Sequence, residues 1–183
     1  MKTVKHVFWE GKRIYLRGLE RKDLKGNYFQ WLNDPVVCQY NSHAVFPNTE
    51  KEMEEYLEFT ARAKNAVVFA VILKRGDVHI GNISLQRIQW VDRTAEFAVL
   101  MGEKQYWGKG YASEAASLIV RYGFERLNLQ RIHCGTSADN IGMQKLAKNL
   151  RMKPEGRRRR ALYKNGHYVD LLEYGVLKEE FLR

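Results

Sequence analysis

A short glycine-containing run, Gln105–Ala112, carries the residue types that bind a phosphate group. It follows the apolar segment 95–101, which predicts a strand, and it opens the segment 111–126, which predicts a helix. Gly108 and Gly110 allow a ligand to approach the backbone closely, and the free amides and dipole of a helix N-terminus favour negative charge. The run therefore predicts a site for a phosphate or a pyrophosphate.

Two well-known phosphate-binding motifs do not fit this run. A P-loop is excluded because the spacing from Gly102 to Gly108 is one residue too long, and because Gly110 follows Lys109 where Ser or Thr is required. A dinucleotide fingerprint is excluded because Ser113 stands where the third glycine belongs. On the loop alone, an ordinary strand–turn–helix junction with two glycines stays open as an alternative.

The composition indicates one globular domain over residues 1–183, with 45% hydrophobic and 28% charged residues. No apolar run is long enough for a membrane span, and Met1–Glu10 lacks the apolar segment of a signal peptide. We therefore expect a cytoplasmic protein with no membrane partner. Cys38 and Cys134 lie far apart, and neither they nor the five histidines form a ligand pattern, so no metal site is predicted.

The net charge of +10 is partly local, because four arginines are consecutive at 157–160. This block lies between Pro154 and the turn Lys164–His167, within a predicted hairpin. We interpret it as an exposed strand near a sheet edge, where charge discourages aggregation. A nucleic-acid partner is not expected, since binding would call for exposed aromatics between the charges or a recognition helix. A basic RNA- or ribosome-associated protein stays open as an alternative.

The remaining elements follow from periodicity, capping and turn signals. Thr49 and Glu52 form a capping box that starts a helix, the segment 35–48 has no clear period, and Asn165-Gly166 is a hairpin turn. The predicted order is a strand at 13–19, helices at 20–32 and 49–63, an antiparallel meander at 66–73, 78–88 and 95–101, a helix at 111–126, a strand at 131–136, a helix at 139–149, and paired strands at 153–163 and 168–177.

This order and several motifs resemble the GNAT acyltransferases, and in particular their RimJ/RimL-like branch of N-acetyltransferases. The loop matches the pattern Q/R-x-x-G-x-G/A, and further matching stretches are Arg17–Leu24, Trp31–Val37 with Tyr40, Ile80–Ile83, Ala95–Phe97, Asn128–Ile132 with Asn140, and Asn165–Asp170. The resemblance implies an α+β fold with a mixed, mostly antiparallel seven-stranded sheet flanked by four helices.

The resemblance also implies acetyl-CoA as the donor, no metal, and a primary amine as the acceptor. The acceptor would be a protein N-terminal α-amine or a small amine, with an amino-sugar nucleotide as the alternative, in a monomer or homodimer. The pantetheine arm would lie beside Val99, Leu100 and Met101, with Asn140 close to it. The pyrophosphate would lie on the loop residues Gln105, Trp107, Gly108, Lys109, Gly110, Tyr111 and Ala112.

Glu96 matches the family's acidic position and is the predicted catalytic base, because the acceptor must attack as a free amine. Its other interpretation is a surface strand glutamate paired with a basic neighbour. Ala147 and Met143 stand where relatives have a Tyr or a Ser that protonates the departing thiolate. Water or a hairpin tyrosine would serve instead, with Tyr168 preferred over Tyr163.

The absence of a familiar acid at these two positions motivates a further alternative, an acyl-CoA-binding module without catalysis. For the acceptor, we expect the irregular segment 35–48 to supply binding residues. Its candidate side chains are Tyr40, His43 and Phe46.

Overall fold

The computed structural model describes residues 6–183 and consists of one eight-stranded sheet with helices on both faces. The strands are β1 (Trp9–Glu10), β2 (Ile14–Gly18), β3 (Val67–Leu73), β4 (Val78–Gln89), β5 (Thr94–Met101), β6 (Arg131–Ser137), β7 (Lys153–Lys164) and β8 (His167–Leu177). Their order across the sheet is β1-β2-β3-β4-β5-β6-β8-β7. All neighbours are antiparallel except β5 and β6, which are parallel.

Six α-helices and two short 3-10 turns complete the described part of the chain. The helices are α1 (Arg21–Leu24), α2 (Tyr28–Asn33), α3 (Glu50–Arg62), α4 (Tyr111–Glu125), α5 (Ile141–Asn149) and α6 (Lys178–Phe181). The 3-10 turns are His43–Val45 and Lys104–Tyr106. Helix α3 begins at the predicted capping box, in which Thr49 Oγ1 accepts from the Glu52 amide and the Glu52 carboxylate accepts from the Thr49 amide.

The structure differs from the predicted order at three places. It adds the two-residue strand β1 and the short helix α6, so the sheet has eight strands rather than seven. It also divides the predicted helix 20–32 into α1 and α2, because the chain turns at residues 25–27. There the Gly26 amide donates to the Asp23 carbonyl at 3.1 Å, and glycine is a weak helix former in a helix interior.

The main hydrophobic core lies between the sheet and helices α4 and α5. It is built from alternate residues of the strands, such as Phe97 on β5 and Ile132 on β6, and from the apolar face of α4. Gly123 lets α4 approach closely, because an added Cβ there would lie 2.8 Å from a Leu85 methyl group. This packing fixes the N-terminus of α4 relative to the ends of β5 and β6.

Helices α1 to α3 cover the opposite face of the sheet with a smaller cluster. Trp31 of α2 is buried in that cluster, and Leu100 of β5 packs against it. A buried ion pair joins β2 to α1, with Arg17 Nη2 2.6 Å from Asp23 Oδ1. His79 accompanies this pair, since its ring lies 4.9 Å from the Trp31 ring and its Nε2 is 2.8 Å from Asn82 Oδ1.

Strand β7 forms the outer edge of the sheet and carries the arginine block. All four arginines from 157 to 160 are exposed. Arg157 is bonded to Asp170 of β8, and Arg158 lies 3.2 Å from Glu173 of the same strand. The block is thus a charged strand at a sheet edge, as the sequence predicts.

Residues 6–183 contain neither a helix that could span a membrane nor a group of side chains that could hold a metal ion. No helix among these residues has the length and apolar character needed to cross a bilayer. Within the same residues, no three or more His, Cys, Asp and Glu side chains are grouped so that they could hold a metal ion. Both cysteines are free thiols inside the protein, and burial raises the pKa of Cys134 to about 12.

Candidate active site

The parallel strands β5 and β6 part from each other shortly after they meet. They pair only through Thr94 with Arg131, Ala95 with Ile132 and Glu96 with His133. Beyond that point β5 pairs only with β4, and β6 pairs only with β8. A gap between two strand edges therefore opens directly after Glu96 and His133.

The backbone of β5 presents free hydrogen-bonding groups to this gap. The Gly102 amide donates to the Ile80 carbonyl of β4 at 3.0 Å. Because bonding alternates along an antiparallel ladder, the amide and carbonyl groups of Val99 and Met101 face the opposite edge. Trp107 Nε1 occupies one of them, donating to the Met101 carbonyl at 2.8 Å. Val99 and the Met101 amide thus offer the edge that an extended ligand could join.

At the end of β5, the glycine loop leads into the N-terminus of α4. Gly108 and Gly110 both have positive φ angles, +71° and +82°, which favour glycine. Gly110 is the N-cap of α4, and the first helical amides after it have no acceptor within the helix. An added Cβ at Gly108 would meet nothing within 4 Å. There is therefore open space beside the loop in which an anion could bind to the free amides.

Arg13, immediately before β2, holds the loop from one side. Its Nη1 donates to the Lys109 carbonyl at 2.9 Å, and its Nε lies 2.9 Å from Glu114 Oε2 of α4. The guanidinium also lies over the Tyr111 ring, 4.4 Å from the centroid. Burial alone would raise the pKa of Glu114, but the charge and hydrogen bonds of Arg13, together with the Ile14 amide, lower it. Arg13 thus orders the loop and places a positive charge beside it.

Trp31 of α2 holds the other end of the same loop. Its Nε1 donates to Glu103 Oε1 at 3.0 Å, and Asn27 donates to the same oxygen at 2.8 Å. The Trp31 ring lies against Gly102 so closely that an added Cβ would be 1.8 Å from a ring atom. Glycine at position 102 is therefore required by packing, whereas Gly108 and Gly110 are required by their φ angles.

A charged cleft of about 330 Å³ lies beside the point where β5 and β6 part. Its charged side chains form ion pairs, and they are Arg87 with Glu96, Arg131 with Glu155, and Arg158 with Glu173. His133 lies among them. A larger hollow of about 420 Å³ is lined by α5 and β7 residues such as Lys145 and Lys148, but no residue of the β5–β6 gap lines it. We therefore regard the smaller cleft as the candidate acceptor site.

Within this cleft, Glu96 and His133 each have a buried polar atom that makes no hydrogen bond. Glu96 Oε2 and His133 Nδ1 are buried and have no hydrogen-bond partner, and they are the two such side-chain atoms among residues 6–183. Arg87 Nη1 lies 3.1 Å from Glu96 Oε2 but outside hydrogen-bond geometry, and the Arg87 side chain is 81% exposed. Burial and the charge of Arg131 lower the pKa of His133, so its imidazole is neutral at pH 7.

Asn140, at the start of α5, caps that helix. Its Oδ1 accepts from the Met143 amide at 3.0 Å. Met143 is half-buried and packs against the main core, and Ala147 is fully buried within it. Neither residue can donate a proton, as the sequence predicts.

The segment 35–48 meets the tip of the hairpin formed by β7 and β8. Lys164 donates to the Asn41 carbonyl there. Tyr40 is half-buried, His43 is exposed in the 3-10 turn, and Phe46 is 78% exposed. The structure brings this segment to the hairpin, but no contact between these side chains and Glu96 or His133 is observed among the described residues.

Tyr163 and Tyr168 form an exposed pair at the same tip. Their ring centroids are 5.1 Å apart, and the residues are 62% and 66% exposed. Tyr168 lies seven residues before Gly175, the β8 partner of His133, which corresponds to about 23 Å along a strand. The structure thus does not bring Tyr168 together with Glu96.

Two residues of this site were not identified from the sequence. His133 is one of five scattered histidines, and only strand pairing places it beside Glu96. Arg13 lies about a hundred residues before the loop that it orders. Alternation along 131–136 could have placed His133 on one face with Arg131, but it gives no strand partner.

The fold and the site together define a class of acyltransferases. A sheet parts between two parallel strands, and a glycine loop at a helix N-terminus adjoins the gap. Residues 13–153 match the model of the acetyltransferase (GNAT) domain family. The chain belongs to this family and is a GNAT-family N-acetyltransferase.

Individual relatives agree with this assignment. The chain is 32% identical over 170 residues to the uncharacterized N-acetyltransferase YnaD of Bacillus subtilis (strain 168), covering 93% of this chain and 96% of YnaD. It is 29% identical to spermidine N(1)-acetyltransferase of Escherichia coli (strain K12), covering 92% and 88% of the two chains. The fold is similar to a crystal structure of Vibrio cholerae spermidine N-acetyltransferase in complex with CoA and spermine, with a TM-score of 0.85, 24% identity, and 93% and 99% coverage.

Proposed function

We propose that this protein transfers the acetyl group of acetyl-CoA to a primary amine by direct attack on the thioester. The observation that carries the proposal is the gap between β5 and β6, which ends at the glycine loop. An extended ligand with a pyrophosphate at one end and a thioester at the other matches that layout. The acetyl group would then lie near Glu96 and His133, where the strands part.

For the cofactor, the loop from Gln105 to Ala112 would hold the pyrophosphate through its backbone amides. The pantetheine arm would bond to the free edge of Val99 and Met101 in the manner of an added strand. Leu100 would contribute less, because its backbone groups face β4 and its side chain packs against the α2 cluster. Asn140 would line the arm through its amide nitrogen, since its Oδ1 already caps α5.

For the acceptor, we propose a protein N-terminal α-amine or a small primary amine, and assignment to the RimJ/RimL-like branch remains a prediction. The relatives include an enzyme named for spermidine, which supports an amine acceptor in general. An amino-sugar nucleotide is the second candidate, although each of the three arginines that line the cleft is paired with a carboxylate. Tyr40, His43 and Phe46 would contact the part of the acceptor that extends toward the hairpin tip.

In the proposed reaction, the cleft supplies an acceptor for the amine's proton, and solvent protonates the departing thiolate. Glu96 is the acidic group at the parting point, and its neighbours Val99 and Met101 offer amides that could polarise the thioester carbonyl. A thiol has a pKa near ~8.5, so the thiolate can depart near neutral pH. Water in the open gap would protonate it, since Tyr168 lies at the distant hairpin tip.

The test is a panel of amines assayed with acetyl-CoA for release of free CoA thiol. The panel contains an amino-acid amide, a peptide with a free N-terminus, spermidine, an alkyl diamine and an amino-sugar nucleotide. We expect turnover of at least one class, with one acetyl group found on its nitrogen by mass spectrometry. Stoichiometric CoA binding without turnover of any amine would instead support an acyl-CoA-binding module, which Met143 and Ala147 motivate.

A further inference from the structure

We infer that His133 is the catalytic base of this enzyme and that Glu96 positions it. In this arrangement Glu96 accepts a hydrogen bond from His133 Nδ1, and His133 Nε2 takes the proton from the acceptor's ammonium group. The inference rests on the proposed acetyl transfer, because it names the group that frees the attacking amine.

Strand register is the first observation that carries this inference. Glu96 and His133 are partners on the parallel strands β5 and β6, and theirs is the last pair before the strands part. Adjacent strands lie about 4.8 Å apart, so two side chains on the same face at this register can touch. Both residues line the same cleft. The pair therefore stands where a thioester in the gap and an amine in the cleft would meet.

The second observation is the pair of buried atoms that lack partners. Glu96 Oε2 accepts no hydrogen bond, although it lies 3.1 Å from Arg87 Nη1, and His133 Nδ1 is a ring nitrogen that can carry a proton. Buried polar atoms without partners are rare, and two of them on paired residues satisfy each other after small side-chain rotations. Catalytic hydrogen bonds are often open before substrate binds. When the hydrogen bond between His133 Nδ1 and the Glu96 carboxylate forms, it fixes the Nδ1–H tautomer and leaves the Nε2 lone pair free to accept the amine's proton.

The surroundings of His133 decide its charge before and after it accepts a proton. Burial and Arg131 hold its pKa below the usual 6.5, so it is neutral and able to accept a proton at pH 7. The charged groups facing it come from all the adjacent strands, namely Glu96 of β5, Arg87 of β4, Arg131 of β6, Glu155 and Arg158 of β7, and Glu173 of β8. The three carboxylates raise the pKa and would stabilise the imidazolium once it forms.

The proton and electron balance follows from these roles. His133 Nε2 takes one proton from the ammonium, and the freed nitrogen lone pair forms the C–N bond. The C–S bond breaks, and its electron pair leaves with the thiolate. The second proton lost from nitrogen passes through water to the thiolate, giving the CoA thiol. The imidazolium then releases its proton to solvent, so each turnover yields one amide, one thiol and one proton.

An imidazole base also implies which amines react best. An α-amino group has a pKa near ~8, and an alkylamine near ~10.4. Proton transfer to the same imidazole is therefore less favourable for the alkylamine than for the α-amino group by about 250-fold. At pH 7 we expect kcat/KM for an amino-acid amide to exceed that for an alkyl diamine by at least about ten-fold.

The experiment compares His133→Gln and Glu96→Gln with the wild-type protein, using kcat/KM against pH and CoA affinity by calorimetry. In the wild type, we expect kcat/KM to fall at acidic pH, below the usual range of a histidine pKa, because the imidazole then becomes protonated. His133→Gln should lower kcat/KM by roughly 10²–10⁴-fold and abolish this acid limb, with CoA affinity retained. Glu96→Gln should lower the rate and shift the limb to lower pH, since the Glu96 charge raises the pKa of His133.

His79→Gln is the matched control for loss of a buried histidine whose pKa is also lowered. Its ring packs against Trp31 and Tyr28 rather than lining the cleft, so the acid limb should keep its position. If Glu96→Gln abolishes the acid limb and His133→Gln leaves it in place, Glu96 is itself the base and the inference is overturned.

A readout independent of turnover separates this inference from the proposed function. Nitrogen-15 NMR of the imidazole should find His133 protonated on Nδ1 at pH 7.5, and this preference should disappear in Glu96→Leu, which has no acceptor. Failure of every amine to react would overturn the proposed acetyl transfer, and the NMR result would still decide whether the pair forms. An Nε2–H tautomer in the wild type would overturn the pair, whatever the panel of amines shows.

Discussion

At Gly108, a single added methyl group should weaken CoA binding without preventing the protein from folding. Its φ of +71° is one that L side chains rarely adopt, and an added Cβ would meet nothing within 4 Å. Gly108→Ala therefore costs only backbone strain, about 1–2 kcal/mol. For a chain of this size, that loss lowers Tm by about 2–8 °C.

Gly76 provides the matched control in the exposed turn between β3 and β4. Its φ is +83°, and an added Cβ would meet only a Val78 methyl group at 3.5 Å, an ordinary contact. Gly76→Ala should therefore lower Tm by the same amount as Gly108→Ala. The two variants share the strain and differ in whether the methyl group points into the proposed pyrophosphate site.

The difference should appear when CoA is added. At a concentration of about 100 times Kd, CoA should stabilise the wild type and Gly76→Ala by about 2.7 kcal/mol. In Gly108→Ala, the methyl group would hold the phosphate away from one loop amide, and a hydrogen bond to a charged group contributes about 1.5–3 kcal/mol. Affinity should fall by about 10- to 100-fold, which cuts the stabilisation to about 1.4 kcal/mol or less.

Thermal unfolding with and without CoA measures both quantities, and calorimetry gives Kd directly. Equal CoA-induced shifts in Gly108→Ala and Gly76→Ala would refute the assignment of the loop to the pyrophosphate. If the two variants differ in how far their Tm falls without CoA, the claim that backbone strain alone accounts for their lower stability would be refuted.

Four further substitutions test other parts of the structure. Asp23→Ala should lower the free energy of unfolding by about 3–5 kcal/mol in urea titrations, because it leaves the buried Arg17 guanidinium without its partner; a loss under 1 kcal/mol would contradict this. Gly102→Ala should weaken CoA binding and lower Tm by more than Gly76→Ala does, since it displaces the ring packed on it. Tyr168→Phe and Tyr163→Phe, two equally exposed sites, should each leave kcat within about two-fold, whereas a ten-fold fall at Tyr168 alone would identify it as the acid.

Local sequence signals predicted most of the fold because they act within a few residues. The capping box at Thr49, the turn at Asn165-Gly166 and the periodicity of 111–126 all lie within single elements, and each appears in the structure. The first predicted helix was too long, because its apolar pattern continues across the turn at 25–27. A weak strand of two residues, β1, leaves too short a pattern to recognise.

The site was predictable only where it is continuous in sequence. The loop and the end of β5 form one stretch, so their proximity follows from chain connectivity. His133 and Glu96 are separated by the whole of α4, and their contact depends on which strand β6 joins and in what register. Arg13 reaches the loop through tertiary packing in the same way. Register is set by the summed packing of the sheet, and no short motif encodes it.

The three residue pairs that join β5 to β6 have a mechanical consequence. Among residues 6–183, they are the one direct connection in the sheet between strands β1 to β5 and strands β6 to β8. Amide hydrogens along such a short seam should exchange with solvent faster than those in the long ladders on either side. A cofactor lying in the gap would act as an inserted strand that fastens the two halves together. Release of the product would then require these two parts of the sheet to separate. The rate of that local opening would limit the rate of the catalytic cycle.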